Sequence, residues 1–138
     1  MTSKKNLWGE LPNAENIRTP YTILKEQASM LSEITNGLLI GEVVINNQTD
    51  NSFGMTLRIK APSLNNYTYS VVQVGQPIQL YPVSIINLLN NVVDRYSSEE
   101  EFENALGQIL SSQEVKRVIS GLLAQIHADI PKQAIDSQ

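Results

Sequence analysis

The run FGMTLRIKA at residues 53–61 alternates apolar and polar side chains with a period of two. Phe53, Met55, Leu57, Ile59 and Ala61 share one side, and Thr56, Arg58 and Lys60 share the other. Successive side chains of a strand point to opposite faces, so one face of this segment belongs in a core and the other in water. Antiparallel sheets tolerate a wet face, whereas parallel sheets are covered on both sides. The expected sheet is therefore antiparallel, and the neighbouring segments are read against it.

On the N-terminal side, residues 38–46 (LLIGEVVIN) are rich in Val, Ile and Leu on both alternations and predict a second strand, joined to the first by the all-polar stretch 47–52. On the C-terminal side, residues 62–66 (PSLNN) read as a turn into a strand over 67–74. Strict alternation there places Tyr67, Tyr69, Val71 and Gln73 on one face and Thr68, Ser70, Val72 and Val74 on the other. Gly75 to Pro77 turns the chain again. Ile78 to Tyr81 reads as a short fourth strand at an edge, where Pro77 and Pro82 cost little by lacking a donor.

Helical periodicity flanks the strands. Ile23, Leu24, Ala28, Met30, Leu31 and Ile34 recur at helical spacing between a Thr19-Pro20 start and an Asn36-Gly37 stop, predicting a helix over 20–35. Residues 83–93 (VSIINLLNNVV) are apolar enough for a buried helix. Two capping boxes, Ser98 with Glu101 and Ser111 with Glu114, mark helices over 99–110 and 112–128. The reading is an α+β domain: an N-terminal helix, a three- to four-stranded antiparallel meander, then two or three C-terminal helices packed on the sheet.

At 138 residues one self-standing core is expected, with an irregular arm at 1–17, a single domain at 18–130 and a loose tail at 131–138. The arm holds the only tryptophan, Trp8, between Leu7 and Leu11. An amphipathic ring at a terminus implies that the arm is tied down: on its own domain in the simpler expectation, otherwise on a second subunit or a partner.

Chemistry is scarce. There is no cysteine, and His127 is the only histidine, so the usual nucleophile–base pairs and transition-metal sites cannot be assembled. Glu99, Glu100, Glu101 and Glu103 read as carboxylates stabilising a helix N-terminus rather than as a metal site. His127 falls in the last turn of the last helix, where an imidazolium interacts well with the helix dipole. The seven glycines form neither a dinucleotide-binding nor a P-loop pattern. No cofactor and no metal are expected. A net charge of −4 with scattered basic residues argues against nucleic acid, which demands clustered Lys and Arg. No apolar run is long enough for a membrane span, and nothing near the N-terminus resembles a secretory signal, so a cytoplasmic location is expected.

What remains is surface. Tyr67, Tyr69 and Tyr81 on neighbouring strands, with Arg58 and Lys60 on the strand beside them, could form an exposed contact patch, and Trp8, Arg18 and Tyr21 supply further aromatic and cationic candidates. The expected function is a small non-enzymatic protein-interaction module of adaptor, immunity or inhibitor type. Its protein partner is unidentified, and a homodimer is expected from an open sheet edge and a surplus of apolar helix surface. The alternative is a small-molecule-binding domain with a Tyr-lined pocket between sheet and helices.

Overall fold

A computed structural model of the chain describes residues 5–13, 17–48 and 52–128. Helix α1 (Pro20–Ile34) is followed by five strands: β1 (Ile40–Gln48), β2 (Ser52–Ala61), β3 (Tyr67–Pro77), β4 (Val83–Asn87) and β5 (Val92–Tyr96). Helices α2 (Glu99–Leu110) and α3 (Gln113–Ala128) close the chain. The strands form one antiparallel sheet in sequence order, with β1 and β5 at its edges. The helices lie on the face carrying Met55, Leu57 and Ile59, and the opposite face is left open. This is the expected α+β fold, with five strands rather than three or four. The tail expected at 131–138 lies outside the described residues.

The extra strands come from a segment that reads as a helix. Residues 83–93 instead make β4, a turn and the start of β5. The β-branched Val83, Ile85, Ile86, Val92 and Val93 favour the pleated surface. The asparagines between them build the turn: the backbone N–H groups of Leu89 and Val92 donate to Asn87 Oδ1 (3.0 Å) and Asn90 Oδ1 (2.9 Å), while Asn91 takes a left-handed φ of 61°. Asparagine accepts that conformation and bonds its own backbone nearby, so it closes hairpins better than it continues helices. The strand expected at Ile78–Tyr81 is a turn closed by a Leu80 N–H bond to the Pro77 carbonyl (2.9 Å).

Alternation in β3 is broken by a bulge. Leu57 faces Val72 while Arg58 faces Ser70, so Val71 is an extra residue, and both valines are buried. One inserted residue moves everything before it to the other face of the sheet. Tyr67 and Tyr69 therefore sit on the helix side with Val72 and Val74, rather than opposite them as strict alternation implies.

Helix α1 begins as its residues require: Thr19 Oγ1 accepts from the Thr22 N–H (3.1 Å) and Pro20 occupies the first turn. It ends with Asn36 and Gly37 at φ of 54° and 81°. Its contact with β1 is closer than side chains allow. A Cβ placed on Gly41 would lie 2.5 Å from Ala28 Cα and 2.7 Å from the Ala28 carbonyl carbon, so the two backbones touch. Ser32 Oγ accepts the Gly41 N–H (3.1 Å) and donates to the Ala28 carbonyl (3.3 Å). Thr35 Oγ1 accepts the Leu39 N–H (3.1 Å). Below α1 the core joins Leu24, Leu39 and Val74 to Val83, Ile85 and the fully buried Phe102 of α2.

Helix α2 is capped by Ser98, whose Oγ accepts from the Glu101 N–H (3.2 Å), while Glu101 Oε1 accepts from the Ser97 N–H (3.2 Å). The cap of α3 is Ser112, one residue later than expected: its Oγ accepts from the Val115 N–H (3.3 Å), and Ser111 Oγ donates back to the Gly107 carbonyl (2.7 Å). Among the described residues no helix is long and apolar enough to cross a membrane.

The α1–β1 contact yields a paired expectation. Gly41→Ala forces helix and strand apart and should destabilise by about 1–3 kcal/mol, as overpacking does. Gly107→Ala, in α2 with nothing within 4 Å of the new methyl, should stabilise by roughly 0.4–1 kcal/mol. Urea midpoints at a shared m-value measure both, and equal shifts would contradict the contact.

Candidate functional site

Helix α1 carries two apolar rows. Leu24, Ala28 and Leu31 face the sheet; Ile23, Gln27, Met30 and Ile34 follow one another three or four residues apart on the side turned toward the other helices. Helix α2 covers Ile23 but stops at Leu110, which lines the same recess as Gln27. Beyond that point the second row has no neighbour, and Met30 is 48% and Ile34 75% exposed.

The result is a groove of about 740 Å³ between α1 and α3. Met30, Leu31 and Ile34 form one wall. Val115, Ile119, Leu123 and His127, spaced by four along α3, form the other, and Leu57, Ile59 and Val71 make the floor. The bulge that buries Val71 together with Val72 supplies part of that floor. Lys116 stands beside the α3 wall, and no Asp or Glu is among the lining residues. The arrangement is a largely apolar trough with Lys116 at its margin.

The candidate residues named from sequence are distributed elsewhere. Arg58 and Lys60 lie on the open face of the sheet, where Arg58 Nε donates to Glu42 Oε1 (2.9 Å) and Lys60 Nζ lies 4.0 Å from Glu42 Oε2. Tyr67 and Tyr69, turned to the helix face by the bulge, line a smaller cleft with Leu64 and the Val118–Gln125 side of α3. Tyr67 and Tyr69 thus lie on the face opposite Arg58 and Lys60, and the cation that lines their cleft is Arg117 of α3. Tyr21 packs its ring partly against the core, with Lys25 Nζ 5.6 Å from the ring centroid. His127 is exposed at the end of the groove.

Tyr81 is separate from the other tyrosines. It lies in the β3–β4 loop near Arg18, Glu99 and Glu103, and its hydroxyl is buried without a hydrogen-bond partner. Arg18 ties the start of α1 to α2: Nη2 bonds Glu26 (2.5 Å), and Nη1 bonds Glu103 (2.5 Å) and Glu99 (3.3 Å). The hydrogen bonds it donates to Glu26 and Glu103 hold the guanidinium even more firmly protonated than usual. Glu99 and Glu103, expected only to stabilise a helix terminus, therefore also anchor this arginine. Among the described residues no group of three or more His, Asp or Glu is placed to hold a metal.

The N-terminal arm does not dock on its own domain. Leu7, Trp8 and Leu11 are 85%, 84% and 70% exposed. Asn6 folds this stretch into a local turn, accepting from the Trp8 N–H (2.9 Å) and donating to the Gly9 carbonyl (3.1 Å).

Sequence patterning points to the tyrosines and overlooks the groove. A signal for it is present in α3, where Val115, Val118, Ile119, Leu122, Leu123 and Ile126 make an apolar arc wider than one core-facing stripe.

Burial, reinforced by Glu99 and Glu103, raises the Tyr81 hydroxyl above its ordinary range, and burial with Asp94 does the same to Tyr96. A phenol raised in the folded state favours folding fully below its unfolded pKa of about 10, and that contribution disappears as pH climbs through the raised value. Stability should therefore fall as pH climbs above about 10. Tyr81→Phe removes a buried hydroxyl that has no partner, so it should leave neutral stability nearly unchanged while flattening the alkaline loss, with Tyr96 supplying the remainder. Urea midpoints against pH test this, and an unaltered alkaline slope in Tyr81→Phe would refute it.

In comparisons with known proteins, no family model, curated protein or solved structure matches the chain.

Proposed function

We propose that the protein is a cytoplasmic, non-enzymatic interaction module whose docking site is the apolar groove between α1 and α3. The observation that carries this reading is the uncovered row Met30–Ile34 facing Ile119 and Leu123 across an open trough. Contiguous apolar surface of this kind marks binding grooves, whereas singly scattered apolar residues need no explanation. A trough walled by two helices suits an amphipathic segment that lays its apolar side inward. The margin, with Lys116 and no carboxylate, favours a segment whose outer side is acidic.

A second reading is favoured by one observation: the groove volume falls within the roughly 300–1,000 Å³ of small-molecule pockets. An apolar small molecule would then occupy the same trough. The cleft beside Tyr67 and Tyr69 supports this alternative less well, being smaller at about 520 Å³ and not lined by Tyr81.

A synthetic amphipathic helix with leucines on one side and glutamates on the other, labelled with a fluorophore, tests the docking reading by anisotropy. Saturable binding is expected. Met30→Glu or Ile34→Glu, both at exposed positions, should weaken it by about tenfold or more, as loss of one buried aliphatic contact implies, with the melting temperature kept. No binding, or binding indifferent to both substitutions, would sink the reading. Competition by an apolar dye but not by the peptide would favour the small molecule.

A further inference from the structure

We propose that the occupant of the groove is the N-terminal arm of a second copy of this chain, exchanged reciprocally so that Leu7, Trp8 and Leu11 of each protomer fill the α1–α3 trough of the other. The inference rests on the groove being a docking site and names its partner.

Two independent features meet in it. The arm presents three large apolar side chains within five residues, each at least 70% exposed, on a turn held by Asn6. The groove exposes the complementary surface. Neither is satisfied within one chain, since the arm leaves these side chains in water while its own groove stands uncovered.

Area supports reciprocal exchange. An aromatic side chain buries roughly 150–250 Å². With two leucines beside it, each arm covers about 400 Å² and removes a similar area of groove from water. Two arms in two grooves then reach about 1,600 Å², the standard size of a stable interface. A single arm seated in its own groove would bury half of that.

Trp8, as the only tryptophan, reports the arm directly. Static light scattering and tryptophan emission are to be measured on the full chain across a concentration series. The expected result is a mass rising from 15.3 kDa to twice that value, with Trp8 emission moving to shorter wavelength over the same concentration range. Leu7→Asp with Leu11→Asp in the arm, and separately Ile34→Glu in the groove, should each weaken association by at least about tenfold and return Trp8 to water-like emission. Short-wavelength emission at monomer mass would place the arm in its own groove and overturn the proposal. So would a dimer whose Trp8 remains water-exposed, or a monomer at every concentration. Binding of the amphipathic peptide to the arm variant separates the two ideas: if the peptide binds while the wild-type chain stays monomeric, the docking groove stands and only the second copy as its occupant fails.

Discussion

The rest of the helical layer depends on one close approach, the contact between the α1 backbone at Ala28 and the β1 backbone at Gly41. Helix and sheet are usually held apart by side chains, and here the missing Cβ lets them touch. Ser32 then reaches the Gly41 N–H, an edge-strand donor that would otherwise face water. With α1 fixed over the edge strand, its first apolar row is spent on the sheet and its second turns toward the centre of the layer. Helix α2 covers only the beginning of that second row. The groove thus follows from where a glycine stands and where a helix ends, rather than from loose packing, and the core beneath it holds Leu57, Ile59 and Val71 at 5% exposure or less.

A single inserted residue governs the other half of the sheet. Because Val71 and Val72 both oppose Leu57, the strand can bury two successive valines and still return to alternation. The insertion sends Tyr67 and Tyr69 under α3 and leaves Arg58 and Lys60 to pair with Glu42 on the open face. Partly exposed pairs of this kind contribute little stability, on the order of 0–1 kcal/mol each. The open face carries Arg58, Lys60 and Arg95 with Glu42, and apolar residues such as Ile86 and Val93 lie among them.

Much of this architecture is legible in the amino-acid sequence. Alternation in residues 53–61, the Thr19-Pro20 start and Asn36-Gly37 stop of α1, and the hydroxyl caps of α2 and α3 are local signals, and each forms nearly where it reads. The segments that read differently share a physical cause. The run 83–93 has helix-like apolar content, yet its identity is decided by β-branching and by asparagines that bond their own backbone, both weaker signals than hydrophobicity. The β3 bulge depends on register against β2, which no single segment encodes. The groove is hidden for a related reason: Met30, Ile34, Ile119 and Leu123 fit ordinary amphipathic stripes, and only the shortness of α2 relative to α1 leaves them uncovered. Their exposure is a property of three elements together.

The scarcity of reactive side chains and the placement of apolar ones bear on each other. Apolar atoms contribute over half of any protein surface, so exposed leucines alone carry no information. In this chain the four most exposed large apolar residues are Leu7, Trp8 and Leu11 on the arm and Ile34 on the α1 wall of the groove. Those two surfaces, one on the arm and one along the groove, are the ones the proposed contact would cover. In the proposed dimer the arm, with its tryptophan on a local turn, is the knob and the trough between α1 and α3 is its socket, and the proposed docking function draws on that pairing.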